Sequence, residues 1–381
     1  MNPYIQVLGQ AAVIYPIIVV LFTIPYIAFN YHKYGSVLSL RVLIVYSFIL
    51  YLLCVYCLVI LPLPSPQEAA ALQGRQTQLI PFWFVREIAQ QSGAALTQPA
   101  TWPSILDSST FWVTFYNFFM TLPFGVYLRY YFCCGWKKAL GLSFALTLFF
   151  ELTQLSGLYF IYPGSYRLFD VDDLLVNTAG SMAGWALAGP VGRLLPSRQE
   201  LDATSLRRGA SVSLARRAFS FLVDCACAAV ASPLFFMVSA LVLGQALPAR
   251  WLPLFLWGYF SLMTLLMGGQ TPGKRLTRTR ILRTGGQKAG WYQYPLRYGL
   301  LLAGVWGLPF LLDALLLAWS DASHVGALAA PVLRTLLTGG YLFGLFFALV
   351  LALLRKPLYY ERWSRTQIVS TVAPDPPDQT S

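Results

Sequence analysis

Nine stretches of about 20 apolar residues recur along this chain of 381 residues, and about 20 residues of α-helix cross the hydrocarbon core of a bilayer. They lie near residues 11–29, 40–63, 111–132, 138–160, 172–192, 217–243, 251–268, 297–319 and 331–354. So many stretches cannot all be buried in the core of one soluble globule. Composition agrees, with 57% hydrophobic and 11% charged residues, where soluble domains carry about 25% charged. The expected fold class is an all-α membrane protein: a polytopic transmembrane helical bundle of about nine spans, multi-pass in the cell membrane.

The formal net charge is +12, from 27 Lys+Arg against 15 Asp+Glu. In a soluble protein that balance would suggest nucleic acid. Here the basic residues fall in alternate loops. His32, Lys33 and Arg41 flank one, and Arg129, Lys137 and Lys138 fill another. Arg193, Arg198, Arg207, Arg208, Arg216 and Arg217 crowd a third. The fourth runs from Lys274 and Arg275 through Arg278, Arg280, Arg283 and Lys288 to Arg297, and Arg355, Lys356, Arg362 and Arg365 follow the last span. By the positive-inside rule these loops are cytoplasmic, which puts the N-terminus outside and the C-terminus inside. No zinc, helix-turn-helix or aromatic RNA-binding pattern is present, so nucleic acid is not expected. Membrane lipid is the expected partner, with anionic lipid at the basic loops.

All six cysteines lie in or at the ends of apolar runs. Cys54 and Cys57 have metal-like spacing but no second pair or nearby histidine, so they read as packing residues. Neither metal nor cofactor is expected. The N-terminus lacks a basic n-region and a cleavage site, so no removed signal peptide is expected.

The polar, Arg-rich segment 196–216 separates a membrane domain of five spans, residues 1–195, from one of four spans, residues 217–370. The Pro-rich tail, 371–381, is expected to be disordered. Thr and Arg alternate over 277–280, Gly285-Gly286 can turn the chain, and "TQIVS" from Thr366 is β-prone. These features predict a small cytoplasmic β-hairpin with a further strand beside it.

The polar residues of the outer side are the candidate site. Asp170, Asp172 and Asp173 sit at the mouth of the fifth span. Asp173, Asn177, Gly180 and Gly184 share a helical stripe, and the two glycines let a neighbouring helix approach closely. Glu151 and Gln154 share a face, with Glu151 roughly 20 Å from the basic end of its span at 1.5 Å per residue. Asn117 lies about two turns into its own span. With Arg167 as countercharge, these residues are expected to converge in an outward-opening polar pocket. The bland alternative for each is a cap or an interhelical hydrogen bond, such as Asp172 capping the helix that follows it. Glu151 stands out, because an acid well inside a span is a functional candidate by default. In the second half, Arg217 and Asp224 share a face, and Arg216 or Arg217 could reach Asp224 or snorkel to phosphates. Gly273-Lys274-Arg275 is no P-loop, since the upstream glycine and the following Ser/Thr are missing.

"QLIPFWF" from Gln78, "YNFFMTLPFG" from Tyr116, "ELTQ" from Glu151 and "RLFDVDDLLVNTAGSMAG" from Arg167 resemble the VanZ-like family over roughly residues 10–195. Gln78 stands where an asparagine is usual, and Arg75 is set slightly apart. The resemblance implies a bacterial envelope protein linked to tolerance of glycopeptides such as teicoplanin, with a cell-wall precursor or glycopeptide-related ligand. "RRAFSFLVD", "TPGKRLTRTRIL", "PLRYG", "LPFLLDALL" and "YYERWSRTQIV" resemble the RDD family over about 210–370. Its motif maps onto Arg217, Asp224, Gly273, Lys274, Arg275, Arg297, Asp313 and Glu361; Glu361 replaces the usual Asp, and Tyr360 the His before it. Some RDD proteins are associated with cation/proton exchange.

Three functions follow. The first is an envelope protein whose outer pocket binds an anionic ligand through Arg167 or a metal through the aspartates. The second is a cation/proton-coupled transporter using Glu151, Asp224 and Asp313. The third, least favoured, is an enzyme on lipid-linked substrate with Glu151 as base. No Ser-His-Asp or HExxH arrangement exists, and His32 and His324 lie in loops remote from the motifs, so no catalytic residue is assigned.

Overall fold

A computed structural model describes residues 3–61, 77–95, 97–162, 164–165, 167–192, 195–245, 247–322 and 324–372. Arg75, Arg193 and the tail from residue 373 onward lie outside the described residues. The chain forms two compact units, residues 1–24 with 38–202, and residues 25–37 with 203–381.

Every one of the nine apolar stretches is helical. They correspond to α1 (Pro3–Tyr34) and α2 (Ser39–Ile60), then, after a short α3 (Trp83–Ser92), to α4 (Ser109–Tyr130), α5 (Trp136–Leu155) and α6 (Val171–Val191). The Arg-rich segment folds as α7 (Arg198–Gly209). Next come α8 (Leu214–Leu243), α9 (Leu252–Leu266) and the short α10 (Pro272–Leu276). A π-helical turn, Ala303–Gly307, joins α11 (Gln293–Leu302) to α12 (Leu308–Ala322), and α13 (His324–Leu353) and the short α14 (Tyr359–Trp363) follow.

Five of these segments are long and apolar enough to cross a membrane: 12–34, 39–60, 214–243, 293–322 and 328–353. With their large exposed apolar side chains, they make the chain an all-α, multi-pass membrane protein. The other four apolar stretches fall short for physical reasons. Helix α9 has 15 residues. Helices α4, α5 and α6 carry polar residues and pack on one another, α6 against both α4 and α5.

The α4–α6 contact depends on missing side chains. A Cβ added at Gly125 would lie 1.7 Å from the Ser181 carbonyl oxygen, one at Gly180 2.1 Å from that of Phe118, and one at Gly184 1.8 Å from that of Leu122. Two hydroxyls then pin the touching backbones: Thr121 donates to the Asn177 carbonyl at 2.8 Å, and Ser181 to that of Thr121 at 3.2 Å. Helix α5 stops at Leu155, short of the expected 160, because the chain turns at Gly157 with φ +61°.

Two small ladders complete the fold. In the first unit β1 (Thr77–Gln78) runs parallel to β2 (Phe169–Asp170). In the second, β3 (Thr279–Arg283) pairs antiparallel with β4 (Thr366–Ser370). The expected hairpin is thus mainly a pairing of distant segments. Its local part is a turn over Gly285 and Gly286, closed by the Leu282–Lys288 bridge.

Candidate functional site

The candidate polar residues of the first unit form a hydrogen-bonded junction. Asp170 caps α6 by accepting from the Asp172 N–H at 2.8 Å. The N–H of Asp170 in turn donates to Glu151 Oε2 at 3.0 Å. Asp172 accepts from the N–H groups of Phe82 at 2.5 Å and Phe84 at 2.9 Å. It therefore holds the left-handed turn at Phe82 (φ 62°) that starts α3. Gln78 closes the same strap on itself, with Nε2 on the Ile80 carbonyl at 2.6 Å and Oε1 accepting from the Ile80 N–H at 3.2 Å. The "QLIPFWF" and "RLFDVDD" segments are thus one structural joint, tied by the β1–β2 ladder and by Asp172.

Asn117 Nδ2 donates to Asp173 Oδ1 at 2.8 Å, as the shared depth of the two suggests. Gln154 Nε2 donates to the Val59 carbonyl at 3.0 Å, and Arg167 Nη1 donates to the same oxygen at 3.0 Å. Arg167 is therefore not hydrogen-bonded to Glu151 or Asp173 as the countercharge reading expects. Val59 lies in the last turn of α2, whose carbonyls have no helical N–H to accept from and attract a cation. Ser165 completes the joint by donating to the Gln154 and Arg167 carbonyls.

Glu151 is 2% exposed and Asn177 4%. Asn177 Oδ1 is buried without a hydrogen-bond partner. Asp170 and Asp173 are half-buried, and Arg167 is exposed. Asp170 lies just outside α6, and burial pushes its carboxyl above the usual range, with Asp172 and Glu87 adding to the push and the Asp172 N–H opposing it. Among the described residues no group of three or more His, Cys, Asp or Glu is arranged to hold a metal ion. A cavity of about 560 Å³ borders the joint, and it is not the polar pocket expected. Its walls are Phe82, Phe84, Phe115, Phe118, Leu175 and Ala179 among others, and none of the eight candidate residues lines it. Apart from Asn177 Oδ1, the polar side chains bond to one another and to backbone, and the space beside them is largely aromatic.

In the second unit six of the eight motif residues fall into two ion clusters. Asp224, fully buried, accepts from Thr271 Oγ1 at 2.5 Å and the Gly273 N–H at 2.7 Å, and pairs with Lys274 at 3.5 Å. Thr271 also caps α10, and a Cβ at Gly273 would meet the Ser220 carbonyl oxygen at 2.0 Å. The "TPGK" residues are therefore the ones that let α10 lie against α8 and reach Asp224. In the second cluster Glu361 Oε1 accepts from Arg297 at 2.9 Å and Arg217 at 3.3 Å. Arg297 also donates to Thr366 at 2.7 Å and stacks on Tyr360, 4.9 Å from its ring centre.

The expected reach of Arg216 or Arg217 to Asp224 is thus replaced by Lys274. Arg217 turns to Glu361. Arg216, 0% exposed, donates to the carbonyls of Thr277, Gly209 and Arg278 and to Ser370 Oγ. It fastens the end of α7, the start of β3 and the end of β4 together, a role that sequence reading missed. The Arg216-Arg217 doublet does not reveal which of the two points inward. Arg275 is exposed, and Asp313 pairs with Arg334 at 2.8 Å on an exposed face of α12, apart from either cluster.

Residues 48–192 match the VanZ/LLP1 family, and residues 211–357 match the RDD family. No curated protein and no solved structure matches the chain.

Proposed function

We propose that this chain, a VanZ-like region joined to an RDD region in one multi-pass protein of the cell membrane, holds an amphiphilic envelope ligand on the outer side. Through that ligand it contributes to tolerance of glycopeptides of the teicoplanin type. The observation that carries this reading is the aromatic cavity of about 560 Å³ beside the Asp172 joint. Cavities of this size and lining suit an acyl or isoprenoid tail. Four acids and one arginine stand among the eight candidate polar residues, and Arg167 already has the Val59 carbonyl. That balance favours a head group bearing an amine over the anion expected from Arg167 alone. The transporter reading loses support from Asp313, whose carboxylate is matched by Arg334.

The test is survival under teicoplanin of a deletion strain complemented with wild type, Glu151→Gln or Ala179→Trp, at matched membrane levels. Ala179→Trp fills the cavity and should abolish tolerance. Glu151→Gln keeps an oxygen for the Asp170 N–H, so a structural role survives at about 1 kcal/mol. A role for its charge does not survive, and tolerance should fall. Wild-type survival of both variants would overturn the proposal.

A further inference from the structure

The RDD-matching unit contains two adjoining spaces of opposite character. One is an apolar cavity of about 600 Å³. Its walls include Phe221, Phe260, Leu301, Val305 and Trp306. They run from buried Phe260, 5% exposed, to Trp306, 43% exposed, so the cavity opens sideways along the apolar helices. The other is a basic pocket of about 660 Å³ lined by Arg217, Arg283, Arg355, Arg362, Arg365 and Glu361. Arg217 and Ile368 line both. Five arginines against one glutamate leave a formal surplus of four positive charges in the pocket. Arg217 shares Glu361 with Arg297, while Arg283, Arg355, Arg362 and Arg365 have no carboxylate partner among the described residues. A space that is cationic at one end, apolar at the other and open to the side has the polarity of a single anionic lipid.

We propose that this double space binds one anionic phospholipid molecule, its phosphate head group among Arg283, Arg355, Arg362 and Arg365 and an acyl chain beside Phe260 and Trp306. Guanidinium groups suit phosphate because their planar fork can donate two hydrogen bonds to its oxygens. The Arg217–Glu361 pair forms the sill between the halves and keeps Arg217 fixed whether or not lipid is bound. This differs from diffuse attraction of basic loops to a charged surface, because the acyl chain has a built cavity and the stoichiometry is one. It is independent of the outer-side reading, which concerns the other unit.

The experiment uses the full-length protein in phosphatidylcholine nanodiscs doped with phosphatidylglycerol, released and weighed by native mass spectrometry. Wild type should retain one phosphatidylglycerol in preference to phosphatidylcholine. The double variant Arg362→Ala/Arg365→Ala should lose the preference by more than about tenfold, from about fivefold for each arginine near a lipid phosphate. Ala352→Trp, or Val305→Phe if the first does not fold, fills the apolar half and should also displace the lipid. Unfolding midpoints in pure phosphatidylcholine check that each variant is folded. Equal retention of the two lipids by wild type, or retention unchanged in the arginine variant, would overturn the proposal. So would displacement by glycerol 3-phosphate as effective as by the whole lipid, since the acyl chain would then have no role.

Discussion

Asp170 shows how a single residue does two jobs at the start of α6. Its side chain caps the helix through the Asp172 N–H, and its own N–H feeds Glu151. Burial raises its pKa in the folded protein, and the neighbouring Asp172 and Glu87 carboxylates add to the effect. A carboxyl whose folded pKa exceeds its unfolded value favours the protonated folded form. Its stabilising contribution is whole below the unfolded pKa and is lost as pH rises through the folded one. Asparagine keeps the capping oxygen and cannot ionise. Asp170→Asn should therefore hold wild-type stability at low pH and exceed it near neutrality. Thermal unfolding in detergent, followed from about pH 4 to 7, spanning the range above the reference Asp pKa, checks this. Parallel curves for variant and wild type would mean that Asp170 does not titrate across that range. Arg216 works the opposite way. A cation entirely out of water is tolerable because four carbonyls and a hydroxyl accept from it, which is what a buried guanidinium requires.

The long apolar helices were legible from hydrophobic length, and the approach of α4 to α6 from Gly180 and Gly184. That approach gives a direct test. Gly184→Val forces a Cβ onto the Leu122 carbonyl and should cost about 1–3 kcal/mol or more, the usual range for overpacking. Gly141→Val, on α5 with nothing within 4 Å of the added atom, is the control. The unfolding midpoint should drop for the first and stay for the second; similar midpoints would show that the two backbones are free to separate. Less was legible where an element is held by partners distant in sequence. Strand β1 and the short helix α3 were not foreseen, because contacts from Phe169 and Asp172, far along the chain, hold them in place. Lys274 was not foreseen as the partner of Asp224, since a helical wheel shows only neighbours on the same helix. The tally of polar residues around Asp172 did not reveal that most of them would bond to one another and to backbone and leave an apolar cavity beside them.

At the scale of the whole molecule, orientation in the membrane decides which of these sites meets the outside. The expectation rests on charge: basic loops resist translocation, so the α4–α5 turn with Arg129 and Lys137 should lie in the cytoplasm. That turn carries Cys133, the one exposed cysteine of the six. Its side chain projects from a residue with φ +53°, while Cys134 beside it is buried. The natural chain therefore brings its own reporter. A membrane-impermeant maleimide should leave Cys133 untouched in intact spheroplasts and modify it in inverted vesicles. Thr97→Cys, at an exposed position between α3 and α4, should give the reverse pattern. Only the mass of the labelled fragment is needed to tell the two apart. If Cys133 reacts from outside, the aromatic cavity and the acids beside it face the cytoplasm. An antibiotic acting on the outer surface could then never meet them, and the outer-ligand reading would fall with the topology. The lipid proposal for the other unit would survive in that case, because anionic phospholipid is available to either leaflet and the arginine pocket does not depend on which one it meets.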